Sequence, residues 1–170
     1  ETHLVFDGIK AGSLVRAQYT YCQGVVVGLE TELTIRTGDE RHAARVRRLV
    51  AAIDEQMAPQ GVLKGGGGGD GGLFAGITAR YLALAATSLP GDSDADAAAR
   101  DTAAAIVLAS ARAAWDNRQD VEGLPLFGAF WNRVAELPVA GAPASPEHDL
   151  SVQVSGWMLM EAANSVSRAP

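Results

Sequence analysis

With 170 residues, 48% of them hydrophobic and 20% charged, the sequence is long enough to bury one core and too apolar to stay disordered. Its formal net charge of -6 and isoelectric point near 5.0 argue against a nucleic-acid or anionic-membrane surface, which needs clustered lysine and arginine. A single cysteine, Cys22, excludes an intrachain disulfide and a cysteine-built metal site; His3, His42 and His148 have no metal-ligand spacing, and no apolar run is long enough to span a bilayer.

The sequence opens at Glu1 without a methionine or a signal segment, which reads as a processed or trimmed start. Residues 1–18 lack helical periodicity, and Asp7-Gly8 marks a turn between Leu4-Val5-Phe6 and the segment around Ile9, so a loop with one short strand is expected. A first helix is predicted from about Tyr19 to Arg36, the most apolar of the long helices and the one against which the others stack. Gly24 and Gly28 lie four apart on one of its faces, each costing about 1 kcal/mol of helix stability. A tight helix crossing and a ligand approaching the backbone explain them equally well. Cys22 reads as a small buried apolar residue.

Gly38 and Asp39 end this helix and cap a second, about Glu40 to Met57, whose Val46, Leu49, Val50, Ile53 and Met57 form a narrow apolar stripe. That helix belongs outside the first, with Arg41, Arg45, Arg47 and Arg48 on a solvated face. Gly65 to Gly69 and Asp70-Gly71-Gly72 then make a loop almost without side chains. It lacks the Gly-Lys-Ser/Thr ending and the strand context of phosphate-binding loops, so flexibility or close backbone approach is the better account.

A third helix, about Leu73 to Ser88, carries Phe74, Ile77, Tyr81, Leu82 and Leu84 and pairs with the first as an inner helix. Ser93 or Asp94 caps an alanine-rich fourth helix reaching about Asn117. Asp92, Asp94 and Asp96 have the spacing that opens a calcium loop, but Ala97 and Ala103 replace its glycine and glutamate, so favourable charge at a helix start explains them. Asp120 to Pro146 reads as irregular, punctuated by Gly123, Pro125, Gly128, Pro138, Gly141 and Pro143. Of its aromatics, Phe127 and Phe130 are expected to plug the core and Trp131 to stack on a flat apolar surface such as a sugar face. A fifth helix, about Leu150 to Val166, closes the chain. Alternating apolar and amphipathic helices with tight turns describe an all-α fold of stacked helical hairpins. Five helices leave one unpaired, so the last packs alone or the chain is a piece of something larger.

Tyr19-Thr20-Tyr21-Cys22-Gln23-Gly24-Val25 resembles the W-T-Y-N-Q-G-V segment of glycoside hydrolase family 76, the endo-α-1,6-mannanases. Glu32-Leu33 with Thr37-Gly38-Asp39 resembles the family's next positions. Gly61-Val62-Leu63 and Asp70-Gly71-Gly72-Leu73-Phe74-Ala75-Gly76-Ile77 are similar to its G-V-L and D-G-x-x-F-K-G-I, and Val5-Phe6-Asp7-Gly8 to the loop before the first motif. Tyr19, Cys22 and Ala75 depart from the family's Trp, Asn and Lys.

The resemblance implies an (α/α)6 toroid that cuts α-1,6-mannose backbones with retention, using a carboxylate nucleophile and a carboxylic acid roughly 5 Å apart. In the family these are adjacent aspartates of the N-terminal half. This sequence has no Asp-Asp pair and resembles the C-terminal half, so residues 1–170 are expected to form one partial domain, about half of the toroid, with no catalytic residue, metal or cofactor of its own. The implied cleft residues are Asp7, Tyr19, Tyr21, Gln23, Phe74 and Trp131, with Asp7 and Gln23 bonding sugar hydroxyls and the rings stacking on pyranose faces. The implied partners are a mannan-type oligosaccharide or polysaccharide and the missing N-terminal half, in the same or a separate chain; the implied location is exported or at the cell envelope. A non-catalytic carbohydrate-binding module and a purely structural helical module stand as alternatives. The half-toroid reading further predicts an exposed apolar face where the missing hairpins dock.

Overall fold

A computed structural model describes residues 2–137, 139 and 144–169. Glu1 and the loop positions Pro138, Gly141 and Pro143 lie outside the described residues. Five α-helices carry the fold among those described: α1 (Thr20–Thr37), α2 (Glu40–Met57), α3 (Gly71–Ser88), α4 (Asp94–Asp116) and α5 (Leu150–Arg168). Two short antiparallel hairpins accompany them, β1 (Gly8–Lys10) with β2 (Ser13–Val15), and β3 (Gln119–Val121) with β4 (Leu124–Leu126).

The helix boundaries follow from local chemistry. Gly38 takes a left-handed φ of 67° and donates its N–H to Thr34 O, ending α1, and the Asp39 carboxylate accepts the Arg41 N–H at 2.9 Å to start α2. Ser93, rather than Asp94, caps α4, its hydroxyl accepting the Asp96 N–H at 3.2 Å. Asp96 itself is buried and pairs with Arg47 of α2, so the calcium-like spacing serves a helix cap and an interhelix ion pair. For the same reason Arg47 leaves the solvated face expected for the arginine cluster.

The helices form two layers. Gly24 and Gly28 of α1 face Thr78 and Tyr81 of α3, and Gly72 and Gly76 of α3 face Ser151 and Ser155 of α5, so residue numbers rise together and the three run parallel as an inner layer. The approach is close: a Cβ on Gly24 would sit 2.6 Å from Thr78 Cα, and one on Gly76 2.7 Å from Ser155 Cα. The α1 glycines therefore serve a helix crossing. Outer helices α2 and α4 cover α1 and α3 and touch each other, burying Val46, Leu49, Ile53, Ile106 and Val107 against Val27, Leu82 and Leu159.

Three expectations are corrected here. The central element is α3, which packs on α1, α4 and α5 and is also the most apolar helix, so α1 is not the organising one. Nor does α5 stand alone, because it lies on α3 and α4. The expected turn at Asp7-Gly8 forms instead at Ala11-Gly12, with φ of 50° and 77°, and a matching turn forms at Glu122-Gly123, with φ of 53° and 82°. Both are the doubly left-handed connection that suits two-residue hairpins.

Candidate functional site

Parallel inner helices bring their N-terminal ends to one end of the molecule, where the segment before α1, the glycine loop before α3 and the loop before α5 arrive. Tyr21 on the first turn of α1, Phe74 on the first turn of α3 and Tyr19 just before α1 meet there. Ring centroids are 4.5 Å apart for Tyr21 and Phe74, 5.3 Å for Tyr19 and Phe74 and 6.1 Å for the two tyrosines. The Tyr21 hydroxyl donates to Asp7 Oδ1 at 2.6 Å, and the Cys22 thiol lies 3.6 Å from the same oxygen. Asp7 is exposed and its backbone N–H donates to Ala17 O at 2.8 Å, which fixes the carboxylate at the root of the first hairpin.

The protonation states follow from these contacts. The bond to Asp7 holds the Tyr21 phenol protonated well above the ordinary tyrosine range, so Tyr21 stays the donor of this bond. Burial pushes the Cys22 thiol up, away from the thiolate a nucleophile needs. Asp7 Oδ2 has no protein partner among the described residues and is available to an incoming hydroxyl.

Four of the six anticipated cleft residues, Asp7, Tyr19, Tyr21 and Phe74, come together. The other two lie behind them. Gln23 is 0% exposed, and its amide accepts the Val5 N–H at 2.7 Å while donating to Val5 O at 2.9 Å and Tyr19 O at 3.0 Å. Its polar atoms are spent on backbone, so it clamps the segment carrying Asp7 from inside the fold. Trp131 is 3% exposed and packs in the core, while Phe130 is only half-buried beneath the Arg133 guanidinium, 4.2 Å from its ring centroid. The expected order of those aromatics is thus reversed for Trp131 and Phe130 and holds for Phe127, which is buried.

A residue missed in the sequence is Gln153. It is the fourth residue of α5, as Gln23 is of α1, and it clamps Phe127 through both N–H and C=O at 2.9 Å each, with a further bond to Glu147 O at 2.9 Å. The shared position in the first helical turn was the available signal. Below the aromatic cluster a groove of about 920 Å³ runs along the inner layer between Val25 and Leu29 of α1, Tyr81 and Leu84 of α3, and Trp157 and Met158 of α5. Val25, Leu29 and Trp157 are 44%, 54% and 64% exposed in it. Among the described residues no group of three or more histidine, cysteine, aspartate or glutamate side chains could hold a metal ion, and no helix is long and apolar enough to cross a membrane.

The family model for glycosyl hydrolase family 76 matches residues 1–138. The chain belongs to glycosyl hydrolase family 76. Its five helices match about half of the (α/α)6 toroid of family 76 structures. The α-1,6-mannanase of Salegentibacter sp. HEL1_6 superposes with a TM-score of 0.79 at 30% identity, over 97% of this chain and 46% of that one. An inactive variant of that mannanase, with two consecutive aspartates replaced by alanine, was solved in complex with α-1,6-mannotetrose; this chain matches it over 98% of its own length and 47% of the other's at the same score and identity. The Lin0763 protein of Listeria innocua gives a TM-score of 0.75 at 26% identity, covering 98% of this chain and 44% of that chain. This family 76 chain therefore spans about half the length of the solved structures it matches. No curated protein sequence matches it significantly.

Proposed function

We propose that this chain is the C-terminal half of an α-1,6-mannan hydrolase and supplies one wall of the substrate cleft, the catalytic aspartate pair lying in the other half of the toroid. The observation that carries this reading is the cluster of exposed Tyr19 with half-buried Tyr21 and Phe74, next to Asp7 at the N-terminal ends of the inner helices, beside a mostly apolar groove open to solvent. Aromatic faces offer a pyranose ring an apolar platform with little conformational entropy to lose, and the Asp7 carboxylate accepts from a sugar hydroxyl, fixing which face of the ring meets the platform.

Retaining glycoside hydrolysis needs one carboxylate to attack the anomeric carbon and one carboxylic acid to protonate the leaving oxygen. No two aspartates are adjacent in this sequence, and the Asp7 carboxylate is engaged by a phenol and a thiol, so neither role is assigned here. The groove supports the need for a second half. An apolar channel along three parallel helices, with Trp157 standing in it, is costly in water and is relieved when the remaining inner helices close the ring.

In a complete enzyme, Asp7→Ala lowers kcat/KM on α-1,6-mannan about 10- to 100-fold, the scale of a charge-assisted hydrogen bond to substrate. Unchanged kinetics would remove Asp7 from the cleft. A non-catalytic carbohydrate-binding module would keep the same cluster, and the absent aspartate pair favours considering it. That reading predicts sugar binding by this chain with no hydrolysis when a complementary half is added.

A further inference from the structure

Next to the aromatic cluster is a second cavity of about 370 Å³, walled by Gln18, Tyr19, Gln56, Lys64 and Phe74 together with backbone of the glycine loop. Tyr19 and Phe74 belong to both sites, so a sugar resting on their rings reaches directly into it. Lys64 is the one charged residue in the lining. That is unusual local chemistry for a protein with 20 acidic and 14 basic residues, of which only Lys10 and Lys64 are lysines.

The position of Lys64 is fixed from both sides. Leu63 is buried and donates its N–H to Ser110 Oγ at 3.0 Å, and the Lys64 N–H donates to Met57 O at 2.9 Å. On the other side the chain is packed too tightly to carry side chains: a Cβ on Gly65 would lie 1.9 Å from Ala129 O, and one on Gly66 2.4 Å from Gly71 O. The glycine run is thus a close backbone approach that sets where the lysine stands. Lys64 is exposed, and among the described residues its ammonium donates once, to Gln56 O at 2.7 Å, which leaves two of its three N–H donors to solvent or to a ligand. Gln18 and Gln56 are themselves held by Thr2, through its hydroxyl at 3.0 Å and its carbonyl at 2.9 Å.

We infer that this cavity is a subsite for an anionic substituent, a phosphate or carboxylate group, carried by the sugar bound on the Tyr19–Phe74 platform. A neutral hydroxyl both donates and accepts, whereas an ammonium with spare donors and no carboxylate in the same lining is matched by a group that only accepts and carries charge. The inference rests on the proposed cleft and extends it from neutral mannan to an acidic form of the polymer.

Calorimetric titration of the chain with α-1,6-mannotriose, with the same trisaccharide bearing a phosphate monoester, and with one ending in a uronic acid tests it. The expected result is roughly tenfold tighter binding of at least one charged sugar, a gap that narrows as salt is raised and closes in Lys64→Gln. The stronger of the two charged sugars identifies the substituent. Equal affinity for neutral and charged sugars, or a gap that survives Lys64→Gln, overturns the subsite and leaves the cleft standing. No binding by any of the three sugars overturns the cleft and the subsite together.

Discussion

Gln23 and Asp96 show how much of this fold depends on single polar side chains buried against backbone or against a distant charge. Removing the Gln23 amide leaves the Val5 N–H and C=O and the Tyr19 carbonyl short of partners. Gln23→Ala is expected to cost about 2–3 kcal/mol in denaturant unfolding and to speed amide exchange at Val5 and Asp7. A loss below about 0.5 kcal/mol, the level of an ordinary surface change, would contradict the clamp. Asp96 is a different case, because the Ser93 hydroxyl and then Arg47 hold its carboxyl below the usual carboxylate range. A folded-state value lower than the unfolded one contributes stability that is complete above about pH 4 and is lost as pH falls through the folded value. Asp96→Asn is therefore predicted to cost about 1–2 kcal/mol at neutral pH, Arg47 keeping its pair with Glu40, and to flatten the acid limb of a stability-against-pH curve. Neither role was legible in the sequence: Gln23 sat inside a motif that suggested sugar contact, and the partner of Asp96 lies 49 residues away.

The elements that could be read were those decided by local chemistry. Helix periodicity, the Gly38–Asp39 turn and the Ser93 cap act within a few residues, and α2 begins and ends as expected at Glu40 and Met57. One short strand was expected before α1, but the pairing into hairpins was not legible because the strands are only three residues long and Ala11 and Glu122 occupy a turn position where asparagine, aspartate or glycine is the usual signal. Trp131 could not be placed because its burial is decided by the glycine loop and α5, which meet it only in three dimensions. The Gly24 crossing gives a test at this scale. Gly24→Ala gains about 1 kcal/mol of helix propensity. It also drives a methyl to 2.6 Å from Thr78 Cα, which cannot move without separating α1 from α3. The expected net loss is about 1–3 kcal/mol, read as a lowered Tm. A raised Tm would mean that the two helices are not held at this distance in solution.

At the scale of the whole molecule, the inner layer ends in two helices, α1 and α5, that each pack on α3 with no inner helix beyond them among the described residues, and the groove they flank is mostly apolar, with Glu32, Arg80 and Glu161 also in its lining. A ring of inner helices resolves both features, and family 76 membership with coverage of about half of each solved relative points the same way. Trp157→Asp is expected to leave the fold of this chain intact, since the side chain stands in the groove, and to weaken association with a complementary half at least tenfold in a sedimentation or calorimetric assay. Undiminished association would move the docking face elsewhere. The most direct test of the central claim is hydrolysis of α-1,6-mannotetraose by this chain alone and after mixing with a polypeptide that supplies the rest of the toroid and its paired aspartates. The account predicts no cleavage by the chain alone and cleavage by the reconstituted pair. Cleavage by the chain alone, or a stable pair that binds the sugar and leaves it intact, would contradict it.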